Sequence, residues 1–384
     1  MVHLLFVAVL LCLAPDLLPA KSESSRVPPE IRLDAERAIA ARRVPEAVAA
    51  VEKGLKIDPS WTDGLWKIGL LLYQSDQFES ALPYLARLTE LEPSKGVGWA
   101  LRGMCEFQTG NPLKAIEHID RAERLGIPSQ YRLGTAALLN RGLAHIQLGN
   151  FGTAAEFLAK LAPCEDPDER EQLVVALGYA ALHLHLNASL TPEQQGLVRA
   201  VGEAHYLNDS RQDSAADAAF AELFRKYPKI PLVRYAYGTI LLSRNDYKGA
   251  EREFHTELVN DSHSFLARLG LAYVALDNGD AQGGLSYARE AVSMQPNSYQ
   301  PHLYYGRLLL QTAQAKEAAT ELEAARRIAP RDPGIRLVLA KAYRALGLID
   351  QAAKELSEFE RLKTSGHSAR ATQTTSSAPV IALP

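Results

Sequence analysis

Apolar and small residues recur along this chain at intervals of 34 residues. The stretch 299–330 carries the pattern in full, with apolar residues three or four positions apart in two segments and a proline after the second. This spacing predicts two amphipathic helices, because residues three and four apart share one face of a helix. A proline then ends the second helix, since it cannot continue the one before it. The pattern therefore predicts a helix–turn–helix hairpin that is repeated along the chain.

Nine such units fit the sequence, and the first three and the last five of them are contiguous. The units begin at Pro28, Thr62, Gly96, Thr135, Leu197, Pro231, Phe265, Tyr299 and Pro333. The eighth and twentieth positions of every unit hold alanine or glycine. Because two helices approach closely only where the side chains at their crossing are small, these positions predict close packing within each hairpin. One hairpin cannot bury its apolar face alone, so we expect neighbouring hairpins to stack.

The period, the paired small positions and the closing proline resemble the tetratricopeptide repeat, and the resemblance covers most of the chain. It implies an all-α fold, namely a right-handed α-solenoid of stacked helix–turn–helix hairpins. We expect about nine repeats plus one irregular extra helix.

The N-terminal residues follow a different pattern. Residues 4–14 form an apolar run, and the small Ala20 precedes a polar stretch. The run is too short for a membrane-spanning helix, which needs roughly 20 residues. It predicts a secretory signal peptide over residues 1–20 and a linker over 21–27. We therefore expect a secreted or periplasmic protein that is not stably inserted in a membrane once the signal is removed; a retained membrane anchor is the alternative.

The 34-residue period is interrupted once. Four repeats over 28–168 are separated from five repeats over 197–362 by an irregular helical insertion at 169–196. Within the insertion, residues 169–187 resemble the first half of a repeat and predict one additional helix. Thr191 then predicts a cap, with Pro192 at the first position of the next helix.

The last residues lose the pattern altogether. Residues 363–384 are small, polar and aperiodic. Such a sequence does not bury enough apolar surface to order itself, and it predicts a disordered tail.

Composition narrows the classes of partner. The chain of 384 residues is 47% apolar and 23% charged, with a net charge of -3. A nucleic-acid partner is not expected, because a protein that binds a polyanion usually carries a clear basic excess.

The sequence offers no carrier for catalysis. It has no glycine-rich phosphate loop, no nucleophile elbow and no two-histidine zinc motif, so we expect neither an enzyme nor a cofactor. His183 and His185 stand two apart on a predicted helix, about 200° from each other, and cannot bind one metal from one face. The acidic residues after Cys164 are interpreted as a helix cap, since carboxylates favour the first turn of a helix.

Four polar residues occupy positions where the repeat is usually apolar: Arg102 and Glu106 in one unit, and Arg141 and His145 in the next. Each pair is four residues apart, so Arg102 and Glu106 can form an ordinary pair along one helix. A buried polar site is the alternative.

In the family that this chain resembles, the first helix of each unit lines a groove through its second, fifth, ninth and twelfth positions. The candidate groove residues are Trp66, Leu70, Tyr73, Met104 and Phe107 in the early units, and Tyr235, Tyr273, Arg307, Lys341 and Arg344 in the later ones. An apolar half followed by a basic half suits an extended peptide with hydrophobic anchors and an acidic end. The alternative is that several of these aromatic residues only stack between repeats.

The function that follows is a non-catalytic scaffold for protein–protein interaction, exported to the cell envelope. The alternative is a carbohydrate-handling protein, with a sugar-binding or enzymatic site on the repeat scaffold.

Overall fold

The structure, a computed structural model, describes residues 25–128 and 133–366. The predicted signal peptide lies outside these residues, and so does the C-terminal segment from residue 367 onward.

All regular structure in the described residues is helical. The helices are α1 Pro29–Ala40, α2 Val44–Ile57, α3 Thr62–Gln74, α4 Phe78–Leu91, α5 Gly96–Gln108, α6 Pro112–Leu125, α7 Gly134–Gln147, α8 Phe151–Ala159, α9 Pro167–Ala181, α10 Pro192–Asp209, α11 Asp213–Lys226, α12 Val233–Ser243, α13 Tyr247–Asn260, α14 Phe265–Asn278, α15 Ala281–Met294, α16 Tyr299–Gln311, α17 Ala315–Ile328, α18 Pro333–Ala345 and α19 Ile349–Gly366.

The helices pack as hairpins that stack on one another. In most hairpins the two helices are joined by a short turn and contact each other, as in α1–α2, α5–α6 and α16–α17. The second helix also contacts the first helix of the next hairpin, as α4 contacts α5 and α15 contacts α16. First helices touch first helices as well, for example α3 with α5 and α16 with α18. The predicted all-α array of stacked hairpins is confirmed, with α9 as the extra helix between α8 and α10.

The chain divides into two compact units. The first comprises the described residues up to Leu148 together with Thr153–Ala176, and the second comprises Gly149–Gly152 with the described residues from Leu177 onward.

Close packing inside each hairpin depends on the small residue at the eighth position. A methyl group added at Gly238 would lie 2.4 Å from Cε1 of Phe254, and one added at Gly142 would lie 2.4 Å from Cδ2 of Leu158. Phe254 and Leu158 both occupy the twenty-fourth position of their units. The glycine therefore makes room for the large residue of the partner helix, while the alanines at the twentieth position, such as Ala250, are fully buried beside it.

The irregular segment differs in part from its prediction. Helix α9 ends at Ala181, so the expectation that His183 and His185 lie on a helix was wrong. The reason is the backbone of His183, which has a positive φ of 51°, and the Leu184 N–H bonds back to the Tyr179 carbonyl as in a helix C-cap. Helix α10 begins at Pro192 as predicted, with the Thr191 hydroxyl accepting from the Gln194 N–H in a capping box.

Two other helix ends bear on the predictions. Asp166 caps α9, because its carboxylate accepts the backbone N–H groups of Asp168 and Glu169, each at 3.0 Å. At the C-terminus, α19 extends to Gly366 and past the expected start of the tail at residue 363. The Thr364 hydroxyl bonds to the Glu360 carbonyl at 2.9 Å, which supports this last turn.

Within the described ranges, none of the helices combines the length and the apolar character that crossing a membrane requires.

Candidate functional site

The five early candidates lie mainly in the core of the first unit. Met104 is fully buried, and Trp66, Tyr73 and Phe107 are each less than a tenth exposed. Leu70 is partly buried and packs against the same core. Their burial agrees with the alternative that these side chains stack between repeats, and their role in binding stays a prediction.

A polar network links the third hairpin to its neighbour in the first unit. Arg102 Nε lies 3.4 Å from Glu106 Oε1 on the same helix, so the pair along α5 exists. It is not isolated, because Arg102 also donates to the Thr89 hydroxyl on α4 at 2.9 Å. Glu106 further approaches Nδ1 of His118 on α6, at 2.9 Å. These side chains join three helices.

A second buried charge lies on α7. Arg141 Nη1 pairs with Asp120 at 2.7 Å and with Glu123 at 2.6 Å, both on α6. The guanidinium also lies over the ring of Phe157, 3.8 Å from its centre. Burial raises the pKa of Asp120 to about 6, and Arg141 offsets part of that effect. The His145 ring stacks on Phe157 at 5.4 Å.

The cluster around Arg102 and Glu106 and the cluster around Arg141 both have the properties of structural elements. Their charges are directed at one another, and a buried charge without its partner is costly. In the described ranges, no group of histidine, cysteine, aspartate and glutamate residues has the arrangement of a metal site. Both interpretations of the four polar positions are therefore partly right: the helical pair is present, and it belongs to a buried network.

The later candidates form a different surface in the second unit. The rings of Tyr273 on α14 and Tyr304 on α16 lie 5.7 Å apart. Burial raises the pKa of Tyr304 to about 12, and the positive charge of Arg307 acts in the opposite direction on both phenols. Tyr235 on α12 packs its ring against His183 at 5.6 Å, and its pKa is raised by burial and by Tyr304. Tyr273 and Tyr304, on successive first helices, therefore lie side by side, whereas Tyr235 packs against Phe254 in the core of its own hairpin.

The basic candidates extend this face along the chain. Arg307 and Lys341 occupy the ninth position of successive units, on α16 and α18, and Arg344 follows one turn later. Arg307 is half-buried, whereas Lys341 and Arg344 are exposed. None of the three forms an ion pair with a residue that the structure describes. We call the set Tyr273, Tyr304, Arg307, Lys341 and Arg344 the tyrosine–basic face.

Sequence reasoning missed Tyr304. It stands at the sixth position of its unit, which is not one of the four groove positions of the repeat. Its ring nevertheless reaches Tyr273 because the first helices α14 and α16 are in contact. The signal in the sequence was the pair Tyr304–Tyr305 in front of Gly306, one turn before Arg307.

Comparison with known families identifies the repeats directly. Family models described as tetratricopeptide repeat match residues 67–130, 238–301 and 275–333. No curated protein matches the sequence at a significant level.

Solved structures with similar helical arrays have low sequence identity to this chain. MamA from Desulfovibrio magneticus RS-1, residues 41 to the end, is 17% identical and aligns over 43% of this chain and 96% of its own, with a TM-score of 0.40. The hetero-tetramer Cut9–Hcn1 of the APC/C is 15% identical over 87% of this chain and 79% of that chain, with a TM-score of 0.37. YrrB, described as a TPR protein with an unusual peptide-binding site, is 16% identical over 44% and 87%, with a TM-score of 0.39.

Proposed function

Because the chain is a tetratricopeptide repeat protein, and such repeats form scaffolds for protein–protein interaction, we propose that the tyrosine–basic face binds an extended segment of a partner protein. Proteins of this kind are generally non-catalytic. The partner segment carries acidic residues beside at least one apolar or aromatic residue.

The main support for this proposal is three cationic side chains that form no ion pair with a described residue. Arg307, Lys341 and Arg344 lie on two adjacent first helices with no described acidic partner. Like charges so arranged raise the local positive potential, and an acidic segment lowers it. Exposed ion pairs contribute only about 0.2–1 kcal/mol each, so the charges select the partner more than they hold it.

The tyrosines supply the rest of the affinity. Tyrosine offers a rigid apolar ring and a hydroxyl, and its type is enriched where binding energy concentrates. Tyr273 and Tyr304 are both partly exposed, so an apolar residue of the partner can pack on them. The bound segment therefore has a defined direction. Its apolar residue lies on α14 and α16, and its acidic residues lie on α16 and α18.

For the first unit we propose a smaller role. Leu70 is the most exposed of the five early candidates and offers an apolar contact on its first helix. The four buried members pack in the core beneath this contact: Trp66 and Tyr73 on α3, and Met104 and Phe107 on α5.

Selection of peptides tests the binding proposal. A library of 12-residue peptides is displayed and selected on the full chain, and the bound sequences are compared with those selected on a variant carrying Lys341→Glu and Arg344→Glu. The wild type is expected to enrich peptides with aspartate or glutamate next to an apolar residue, and the variant is expected to lose them.

A matched control separates the local effect from net charge. Lys316 on α17 and Lys354 on α19 are exposed and lie on second helices. Lys316→Glu with Lys354→Glu makes the same change in net charge, and it is expected to keep the wild-type selection. Equal loss in both double variants, or acidic peptides retained by the first, rejects the tyrosine–basic face as the binding site.

We also propose export to the cell envelope. The apolar run at 4–14 and the small residue Ala20 support it. Mass spectrometry of the protein recovered from its native cell gives the mature N-terminus, which is expected at Lys21. An N-terminus at Met1 in the mature protein contradicts the proposal.

A further inference from the structure

One side-chain position recurs at the junctions between hairpins in the second unit. The fourth residue of three units pairs with an acidic residue nineteen positions later on the second helix of the same hairpin. These pairs are Arg234–Glu253 at 2.9 Å, His302–Glu321 at 2.6 Å and Arg336–Glu355 at 2.8 Å. The side chain at the fourth position therefore joins the two helices of its hairpin through a contact with a carboxylate.

The same side chain also reaches back to the preceding repeat. Arg336 Nη2 donates to the carbonyl oxygen of Pro330 at 2.7 Å, and His302 Nε2 lies 3.0 Å from the carbonyl oxygen of Pro296. Each proline stands six residues earlier, where the previous unit ends. One side chain thus connects both helices of its own hairpin to the end of the previous one.

Arginine and histidine satisfy this position differently. A guanidinium has five N–H donors at all ordinary pH values, so Arg336 serves both acceptors permanently. A neutral imidazole has only one N–H, whereas the Glu321 carboxylate and the Pro296 carbonyl both accept. Both contacts of His302 become hydrogen bonds only when both ring nitrogens carry protons.

We propose that His302 is a proton-dependent clasp that holds α16 against α17 and against the turn after α15. When the imidazolium loses a proton, one of the two acceptors loses its donor and the junction between the hairpins α14–α15 and α16–α17 loosens. Helix α16 also carries Tyr304 and Arg307, so the clasp fixes the position of the helix at the centre of the tyrosine–basic face.

The surroundings of His302 favour the protonated ring. The residue is 7% exposed, and Glu321 on α17 provides the strongest interaction. The hydrogen bond to Glu321 raises the pKa of His302; burial lowers it, the Pro296 carbonyl raises it further, and Arg327 on α17 has a small opposing effect. The net direction is upward from 6.5.

The sign of the pH dependence follows from this direction. A histidine whose folded pKa lies above its unfolded value binds its proton more tightly in the folded protein. The stabilisation is complete below pH 6.5, and it is lost as the pH rises through the raised folded pKa. For one proton, the equilibrium constant changes by at most about tenfold per pH unit in this window.

The test compares three proteins of full length. His302→Arg installs the permanent donor that Arg336 provides in the next unit, and Glu321→Gln keeps an acceptor but removes its charge. Amide hydrogen exchange of α16, corrected for intrinsic rates, is measured from pH 5.5 to pH 8.5. In the wild type, opening of α16 is expected to increase by at most about tenfold per pH unit between pH 6.5 and the raised folded pKa of the ring, and to level off above that pKa. In His302→Arg this increase is absent, and in Glu321→Gln it is smaller and levels off at a lower pH, because the folded pKa of the ring is raised less.

Ring resonances of the wild type provide a second measurement that needs no variant. Both His302 nitrogens are expected to remain protonated at pH 6.5, with a titration midpoint above that of a free histidine. A ring that is neutral at pH 6.5 overturns the proposal. So does a pH dependence of α16 exchange that is unchanged in His302→Arg.

Discussion

The indole N–H of Trp99 donates to the carbonyl oxygen of Pro93 at 3.1 Å. The offset of six residues is the same as between His302 and Pro296 and between Arg336 and Pro330. A proline ends its repeat, and the carbonyls at a helix end lack partners within the helix. A donor at the fourth position of the next repeat supplies a partner, so the contact satisfies a polar group and joins two repeats.

Replacing Trp99 by phenylalanine tests this junction. The variant keeps an aromatic ring for packing but leaves the Pro93 carbonyl without its donor. We expect the free energy of unfolding to fall by about 0.5–1.5 kcal/mol, measured by urea denaturation. Trp61→Phe is the control, because the indole N–H of Trp61 has no hydrogen-bond partner among the described residues. If the free energy of unfolding falls no more in Trp99→Phe than in Trp61→Phe, the hydrogen bond to Pro93 does not stabilise the junction.

Gly238→Ala tests the crossing of α12 and α13. Alanine favours a helix over glycine by about 1 kcal/mol, yet the new methyl group would lie 2.4 Å from Phe254. Because the collision outweighs the propensity, we expect destabilisation of roughly 1–3 kcal/mol. Gly196→Ala in α10 meets nothing within 4 Å and is expected to stabilise the protein by about 0.5–1 kcal/mol. Equal effects of the two substitutions on thermal unfolding contradict the packing described.

Arg141→Met tests the buried network of the first unit. The change leaves Asp120 buried without its cation, and we expect a loss of about 3–5 kcal/mol in the free energy of unfolding. Arg225, which pairs with Glu222 on the surface, is the control, and Arg225→Met is expected to change stability by less than about 1 kcal/mol. A small effect of Arg141→Met shows that the charges are hydrated rather than buried.

Three other histidines are expected to behave in the opposite way from His302. Burial lowers the pKa of His145 to about 4, of His183 to about 3 and of His205 to about 4, and Arg141 adds to the effect on His145. The unfolded chain takes up these protons near pH 6.5. Their contribution to stability is therefore present above pH 6.5 and is lost as the pH falls toward the lowered values.

Histidine ring spectra recorded on the folded protein check this expectation. The resonances of His145, His183 and His205 are predicted to stay in the neutral form down to pH 5. Titration of any of the three near pH 6.5 contradicts the burial of that ring.

The fold could be predicted from the sequence because its cause is local and repeated. Gly238 and Phe254 stand sixteen residues apart in one unit, and the same spacing returns in Gly306 and Leu322. The spacing found in one hairpin therefore predicts the packing in the others. The end of α9 could not be predicted in this way, because it depends on the left-handed backbone of His183, a conformation that is uncommon for any residue other than glycine.

The candidate site was less predictable because exposure depends on neighbouring repeats. Met104 occupies the same ninth position as Lys341, yet Met104 is fully buried and Lys341 is exposed. The difference comes from the packing around each helix and not from the position in the repeat. The contacts at the fourth position were also missed, because Trp99, His302 and Arg336 share a donor but no side-chain class.

Hydrogen–deuterium exchange of the full chain, with and without a peptide selected on it, shows where the peptide binds. The bound peptide is expected to slow exchange in α14, α16 and α18, and Lys341→Glu with Arg344→Glu is expected to abolish the effect. Slower exchange confined to the second helices α15, α17 and α19, or no change anywhere in the second unit, would contradict binding at the tyrosine–basic face.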